Sequence, residues 1–177
     1  MTKKIISIVI SAYNEEGNIN ELYKQLLQNT KEKDCRYKYE FVFVNDGSTD
    51  KTLGKIKALQ HHDSDVRIVN LKRNFGHEIA MTAGMDHALG DAVIFMDADL
   101  IVVNDIRELW DINIDDCYMA CCSSINDATT VEYKKQLDIP PEYYYCNTGV
   151  MLVNLKKWRA EGTEEKLFEK EKQYRGI

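Results

Sequence analysis

Two aspartates, Asp97 and Asp99, stand one residue apart at the end of the apolar stretch "DAVIFM" at residues 91–96. In an extended segment, residues i and i+2 project to the same side, so both carboxylates can face one ligand. Carboxylate oxygens suit Mg²⁺ or Mn²⁺, which complete their coordination shell with phosphate oxygens and water. The pair is therefore a candidate metal site, with a plain turn as the alternative.

Three more polar clusters follow apolar stretches earlier in the chain. They are Tyr13-Asn14-Glu15 after residues 5–10, Asp46-Gly47-Ser48 after residues 40–44, and Arg73-Asn74-Phe75-Gly76 after residues 66–71. Each cluster has a purely structural alternative: charge at a helix start, a turn with a helix cap, or a loop glycine at positive φ. Ligands gather at the carboxyl ends of parallel strands, so the four clusters together favour one binding site.

The elements that must position these clusters alternate between strand and helix. Short runs rich in β-branched residues predict buried strands at 5–10, 40–44, 66–71 and 91–96. Apolar residues at helical spacing predict helices at 17–28, around Leu53, Ile56 and Leu59, and at 76–89. In the last of these, Ile79, Ala80, Ala83 and Leu89 are the expected packing residues. The fold class is therefore α/β, with a mostly parallel central sheet flanked by helices.

Beyond residue 100 the pattern changes. We expect a short helix at 104–112, a strand at 117–124, a polar loop at 123–142 and an apolar strand at 147–155. A short helix at 156–160 and a charged helix from 163, capped by Thr163, complete the chain.

Length and charge narrow the function classes. A chain of 177 residues predicts one domain, 1–177, and its net charge of -6 disfavours nucleic-acid binding and nonspecific binding to anionic membranes. No apolar run reaches the length of a transmembrane segment, and the N-terminus reads as a first strand. The five cysteines lack a C-x-x-C pair, which favours buried reduced thiols in a cytoplasmic protein. Peripheral membrane association and the oligomeric state are left open.

The glycine pattern excludes two further classes. The first strand–helix turn has no G-x-G-x-x-G and the chain has no G-x-x-x-x-G-K-[ST], which disfavours dinucleotide oxidoreductases and P-loop NTPases. Asp46 can still bind a ribose or a base edge. A metal at Asp97 and Asp99 would then stabilise the charge on a departing nucleoside diphosphate.

Residues 5–100 closely resemble the inverting family 2 glycosyltransferases, in particular the polyprenyl-phosphate sugar transferases. The matching stretches are "SIVISAYNEEGNI", "FVFVNDGSTDKT", "RNFGHEIAMTAGMDHALGD" and "FMDADL". The resemblance implies the glycosyltransferase-A (GT-A) fold, a nucleotide-sugar donor, UDP-sugar in particular, and Mn²⁺ or Mg²⁺ as cofactor.

The resemblance also implies roles for individual residues. The expected nucleotide-sugar site consists of Ser11, Tyr13, Glu15, Asp46, Asn74, Asp97, Ala98 and Asp99. In it, Tyr13 and Glu15 line the nucleoside pocket and Asp46 holds the base. Asp97 lies near the ribose and diphosphate, with Asp97 and Asp99 as the metal ligands. Two positions depart from the family, since Ser11 replaces a usual proline and Ile101 replaces a usual glutamine.

From Asp97 to residue 162 the sequence resembles the retaining family 8 glycosyltransferases instead. The matching stretches are "DADLIVVNDIRELWDINIDDCYMA" and "YYYCNTGVMLVNLKKWRAEG". By this resemblance Asn147 and Thr148 would line the site near the transferred sugar or the acceptor. The two resemblances indicate a chimera, with residues 1–100 as the donor-binding half and 101–177 as a truncated acceptor half.

The leading hypothesis is a metal-dependent glycosyltransferase whose acceptor, a lipid phosphate or a saccharide, is unknown. The alternative is a truncated or chimeric nucleotide-sugar-binding module without transferase activity. A sugar-phosphate nucleotidyltransferase is a weaker third reading, because "SAYNEEGN" is acidic where that class needs a basic loop. No catalytic base is identified, and the two families imply opposite stereochemistry. The acids Asp115, Asp116, Asp127 and Glu132 lack a motif, and His77 and His87 are expected to be structural or solvated.

Overall fold

The computed structural model describes residues 3–30, 37–102, 107–123, 131–132, 134–135, 140 and 146–175. Strands and helices alternate through the first hundred residues, as the apolar pattern predicts. The elements are β1 (Ile5–Ala12), α1 (Ile19–Asn29), β2 (Lys38–Asn45), α2 (Thr52–His62), β3 (Val66–Asn70), α3 (His77–His87), β4 (Ala92–Asp97), α4 (Arg107–Trp110), β5 (Met119–Ser123), β6 (Cys146–Val153), α5 (Leu155–Ala160) and α6 (Thr163–Arg175).

Within the described residues, the strands form one six-stranded sheet in the order β3-β2-β1-β4-β6-β5. The first four strands pair in parallel, so their carboxyl ends lie at one edge. β6 is antiparallel to β4, and β5 is antiparallel to β6 with an irregularity between Cys121 and Cys122. The expected α/β class with a mostly parallel sheet flanked by helices is confirmed.

Helices cover both faces of this sheet. On one face, α1 and α2 bury Ile19, Leu22, Leu26 and Ile56 against a set of strand residues that includes Phe41 and Phe43. On the other face, α3 and α5 bury Ala80, Met85 and Leu155 against Val9, Val44 and Phe95. Successive side chains of a strand point to opposite faces of the sheet. A continuous apolar run therefore supplies residues to the cores on both faces.

The packing of α3 differs from the sequence expectation. Ile79 and Leu89 are exposed, at 51% and 66% of their surface, whereas Ala80 is buried. Gly84 lies so close to the sheet that a Cβ there would be 2.2 Å from Val9 Cγ1 and 2.9 Å from Val44 Cγ2. The helix therefore approaches the sheet through small residues one turn apart, and Met85 is buried beside them while Ile79 lies outside the contact.

Buried Glu40 connects three elements at the amino ends of the parallel strands, opposite their carboxyl ends. Its carboxylate accepts hydrogen bonds from the Ser7 hydroxyl and the Leu89 amide, and Arg67 lies 3.4 Å from its second oxygen. The Ser7 hydroxyl in turn accepts a hydrogen bond from the Gly90 amide. A buried carboxylate needs such partners, so this group has a structural explanation.

Three expectations for the second half of the chain need correction. Thr163 is the first residue of α6, and its buried hydroxyl makes no hydrogen bond within the described part of the chain, so it does not cap the helix. Within the expected loop at 123–142, residues 131–132 and 134–135 are helical. The thiols of Cys117 and Cys122 are free but exposed and Cys121 is disulfide-bonded, so the expectation of buried reduced thiols is wrong for these three.

The expected helix at 104–112 is helical at 107–110, and residues 103–106 lie outside the described ranges. None of the helices in the described part of the chain is long and apolar enough to cross a membrane.

Candidate functional site

The carboxyl edge of the parallel strands forms a cleft of about 310 Å³. All of the residues expected in a nucleotide-sugar site line it. They are Ser11, Tyr13, Glu15, Asp46, Asn74, Asp97, Ala98 and Asp99, joined by Ala12, Gly76, His77 and Ala80. Parallel pairing of β1, β2 and β4 brings these residues together from positions that are far apart in the chain. Their individual roles remain predictions.

Hydrogen bonds fasten the loop after β1 to the loop after β2. Asn14 has a left-handed backbone with φ of 57°, and its side-chain oxygen accepts from the Thr49 amide at 2.8 Å. The Asn14 amide donates to Ser48 Oγ at 3.0 Å, and the Glu15 amide donates to Thr52 Oγ1 at 2.8 Å. The polar residues of the two clusters thus hold the floor of the cleft in place.

Asp50 contributes to the same connection. Its carboxylate accepts from the backbone amides of Glu16 at 3.1 Å and Thr52 at 2.9 Å. Partial burial acts to raise the pKa of Asp50, but the hydrogen bonds from Thr52 and Glu16 favour the charged form and lower the pKa overall. Asp50 therefore holds the start of α2 through the Thr52 amide.

Asp46 is 4% exposed and faces the cleft from the end of β2. Its two oxygens accept from the amides of Phe75 at 2.8 Å and Gly76 at 3.0 Å, which fixes the loop between β3 and α3. Each carboxylate oxygen has a second lone pair, so Asp46 keeps the capacity to accept from a ligand. The residue combines a structural role with a place in the cleft.

Asp97 ends β4 and contacts two neighbours through the same oxygen. Ser11 Oγ donates to Asp97 Oδ1 at 2.9 Å, and His77 Nδ1 lies 3.1 Å from that atom. The His77 ring meets Phe95 edge-on at 5.2 Å between centroids. The sequence predicts that His77 is structural or solvated and does not predict this contact. The signal was its position directly after Gly76, where the third polar cluster ends.

Asp99 is exposed in the turn after β4 and has no hydrogen bond or ion pair with another described residue. Among the described residues, no group of three or more His, Cys, Asp or Glu side chains could hold a metal ion. Asp97 and Asp99 nevertheless line one cleft, and two carboxylates fit Mg²⁺ or Mn²⁺ when phosphate oxygens and water supply the other ligands. The donor set therefore fits a metal held jointly with a phosphate-bearing ligand.

The cleft is strongly acidic. Glu15, Asp46, Asp97 and Asp99 line it, and no lysine or arginine is among its described lining residues. Arg73 lies nearby, but its guanidinium stacks over the Phe75 ring at 4.6 Å. An anionic ligand such as a diphosphate would be repelled here unless a cation accompanied it.

The residues expected near the acceptor are less well placed. β6 starts at the edge where β4 ends, because the two strands are antiparallel, but Thr148 is exposed and does not line the cleft. The side chain of Asn147 and the whole of Asp127 lie outside the described part of the chain. Asp115, Asp116 and Glu132 are exposed and do not line the cleft either.

The chain is similar in sequence to bacterial glycosyltransferases. It is 43% identical over 109 residues to an uncharacterized glycosyltransferase of Synechocystis, covering 59% of this chain and 34% of the relative. It is 41% identical over 114 residues to the prophage bactoprenol glucosyl transferase homolog of Escherichia coli K12, covering 62% of this chain and 37% of the relative. The chain thus spans about a third of the length of these relatives.

Solved structures of other proteins share the fold. The galactosyltransferase LgtC, in complex with donor and acceptor sugar analogs, matches 87% of this chain and 59% of its own, with a TM-score of 0.65 at 20% identity. The mannosyltransferase PcManGT of Pyrobaculum calidifontis, in complex with GDP-Man and Mn²⁺, matches 92% and 48%, with a TM-score of 0.65 at 17% identity. Staphylococcus aureus TarS with UDP-GlcNAc matches 65% and 31%, with a TM-score of 0.51 at 25% identity.

A single family model spans nearly all of the chain. The model for glycosyl transferase family 2 matches residues 7–170, which include every residue of the cleft. The strand ends, the cleft and the match agree, and the chain belongs to glycosyl transferase family 2.

Proposed function

We propose that this chain binds a UDP-sugar in the cleft at the carboxyl edge of the sheet and transfers the sugar to an acceptor. The observation that carries the proposal is the convergence of the expected donor-site residues on one cleft. The structure of Staphylococcus aureus TarS in complex with UDP-GlcNAc supports a UDP-linked donor.

The geometry suggests how the donor would lie. Asp46 sits at the inner end of the cleft, where its remaining lone pairs can accept from an N–H on the base edge. Tyr13, 44% exposed at the mouth, provides a ring against which the nucleoside can pack. Asp97 ends β4 and Asp99 lies in the turn that follows. With the base held at Asp46, the diphosphate would lie near these two carboxylates.

Mn²⁺ or Mg²⁺ would be held by Asp97 and Asp99 together with the diphosphate. The bound ion would stabilise the charge that develops on the departing nucleoside diphosphate. The acidity of the cleft and the Mn²⁺ in the PcManGT complex support this arrangement. Ile101, 74% exposed, offers no ligand atom, so phosphate and water would complete the shell on that side.

We further propose a lipid phosphate as the acceptor. The Escherichia coli relative is named a bactoprenol glucosyl transferase homolog, which supports a polyprenyl phosphate acceptor and a glucosyl donor. A saccharide acceptor is the alternative, since LgtC was solved with an acceptor sugar analog.

The family 8-like origin of the residues after Asp99 also remains a proposal. The similarity to the two bacterial relatives covers 109 and 114 residues, which leaves more than a third of the chain outside each match. The family 2 model, however, continues to residue 170. Sequencing a transcript across the Asp97 codon is the test, and a transcript that is not continuous there would mark the junction as an artefact.

Calorimetric titration with UDP tests the donor site. Wild-type chain should bind UDP more tightly with Mn²⁺ than with EDTA, and Asp99→Asn should lose most of that gain because one of two metal-binding carboxylates is gone. Asp86→Asn, an equal charge change on exposed α3 surface, is the matched control and should bind like wild type. Absence of UDP binding by wild type, or full Mn²⁺ dependence in Asp99→Asn, would contradict the proposal.

Turnover separates the transferase from a binding module. Incubation with UDP-glucose, Mn²⁺ and undecaprenyl phosphate should yield a glycolipid, and proton NMR of its anomeric signal gives the stereochemistry. UDP binding without sugar transfer or donor hydrolysis would instead support the module without transferase activity.

A further inference from the structure

We infer that Ser11 and His77 are positioning residues that hold one oxygen of Asp97, so that the other oxygen, Oδ2, is the atom presented to the donor and its metal. The inference rests on the proposed function, because it assigns how Asp97 acts within that site. It changes the expected role of Ser11 from a ligand contact to a support for Asp97, and it gives His77 a role in the cleft.

Ser11 holds Asp97 from the neighbouring strand. The two residues are register partners on β1 and β4, and Ser11 Oγ lies 2.9 Å from Asp97 Oδ1 in a partly buried hydrogen bond. The family 2 resemblance expects proline at residue 11, and proline has no side-chain donor. This chain therefore carries a support for the aspartate that the usual residue could not supply.

His77 approaches the same oxygen from the helix side. Its Nδ1 lies 3.1 Å from Asp97 Oδ1, while its ring packs edge-on against Phe95, with 86° between the ring planes. Phe95 and Asp97 are two apart on β4, so both project to the same side of the sheet. The buried Nε2 has no hydrogen-bond partner within the described ranges, so Nδ1 is the ring atom with a polar neighbour.

The two contacts divide the carboxylate into an inner and an outer oxygen. Oδ1 has Ser11 and His77 as neighbours, whereas Oδ2 accepts no hydrogen bond from a described residue. A carboxylate held in this way would meet a cation through one oxygen. Removal of a partner that orients a metal-binding carboxylate lowers metal affinity about 10- to 100-fold.

The experiment compares UDP affinity with Mn²⁺ and with EDTA for Ser11→Ala, His77→Ala and His77→Asn. In the two alanine variants, the gain in UDP affinity from Mn²⁺ should fall by about tenfold. The affinity in EDTA should change less than this gain, because both residues act through the metal-binding carboxylate of Asp97. His77→Asn should recover most of the gain, because its side-chain N–H can occupy the place of Nδ1. A merely structural role would change stability without changing the Mn²⁺-dependent gain.

Two matched controls lie outside the cleft. Ser7→Ala is the same change on the same strand and removes the hydrogen bond to buried Glu40, so it should lower thermal stability but leave the Mn²⁺-dependent gain intact. His87→Ala is the same change at the other, exposed end of α3 and should alter neither quantity.

The outcomes separate the inference from the function it rests on. If wild type gains affinity from Mn²⁺ and both alanine variants keep the full gain while folded by circular dichroism, the positioning role is overturned and the donor site stands. If wild type binds no UDP in either condition, the proposed function fails and the role of Ser11 and His77 fails with it.

Discussion

Gly47 allows two loops of the cleft to approach more closely than any other residue would permit. Its φ is +67°, and a Cβ there would lie 2.2 Å from the Arg73 carbonyl carbon and 2.5 Å from the Asn74 amide nitrogen. The contact brings the loop after β3 against Asp46. The Asp46 carboxylate then accepts hydrogen bonds from the backbone amides of Phe75 and Gly76. One backbone position thus sets the geometry of the inner end of the cleft.

Gly47→Ala should therefore destabilise the protein strongly. A left-handed alanine costs about 1–2 kcal/mol, and displacement of the Arg73 backbone adds to that, so a loss above about 2 kcal/mol is expected in urea unfolding. Gly54→Ala is the matched control, because it lies inside α2 with nothing within 4 Å of its Cβ position. That control should gain about 0.5–1 kcal/mol, and equal effects of the two changes would contradict the argument.

At this scale the sequence predicts which residues meet but not how each atom is used. The residues of the four motifs, from Ser11 to Asp99, line one cleft because strand ends in a parallel sheet share an edge, and their binding of a donor stays a prediction. They could not indicate that both oxygens of Asp46 accept backbone amides, since that depends on the loop held by Gly47. The proximity of His77 to Asp97 likewise depends on where α3 begins.

Among the elements, α3 links the sheet to the cleft. It carries His77 at its first residue and packs on β1 and β2 through Ala80 and Gly84. Because Gly84 leaves no room for a Cβ beside Val9, the distance between helix and sheet is set by this one contact. A shift of α3 away from the sheet would move His77 away from Asp97.

Gly84→Ala tests this coupling of packing and site. Overpacking should cost about 1–3 kcal/mol despite the better helix propensity of alanine, and it should weaken Mn²⁺-dependent UDP binding. Val9→Ala removes the contacting methyl groups and lowers stability by itself through a cavity. In the double variant the new Cβ fills that space, so a double-mutant cycle should give a favourable coupling of about 1 kcal/mol or more. If the effects of the two changes on stability were strictly additive, the contact between Gly84 and Val9 would not set the distance between helix and sheet.

Element types were more predictable than element directions and faces. β1 to β4 and the helices between them follow directly from short β-branched runs alternating with helical spacing. The antiparallel direction of β6 does not follow from the sequence, because an apolar run such as "GVMLV" packs equally well in either direction. The exposed Ile79 and Leu89 show the same limit, since side-chain size is a poor guide where the closest approach is made by glycine.

For the molecule as a whole, charge decides how an anionic ligand can enter. The chain has a net charge of -6, and four of its carboxyl groups line the cleft without a lysine or arginine among the described lining residues. A phosphate-bearing donor therefore meets a repulsive field in the absence of a divalent ion. Salt screens this field, so the change in ligand affinity with salt concentration shows whether the field is repulsive.

Metal-free binding of UDP should consequently strengthen as ionic strength rises. Between about 0.01 M and 0.1 M salt the Debye length falls from roughly 30 Å to 10 Å, so the repulsion between the carboxylates and the diphosphate weakens. Calorimetry in EDTA at the two salt concentrations measures the effect. Uridine, which lacks the phosphates, is the control and should bind equally at both. With Mn²⁺ present the dependence should shrink, because an ion held together with the diphosphate would offset the acidic charge of the cleft. A basic phosphate site would show the reverse, with UDP affinity falling as salt is added, and that result would rule out the acidic cleft as the place where the diphosphate binds.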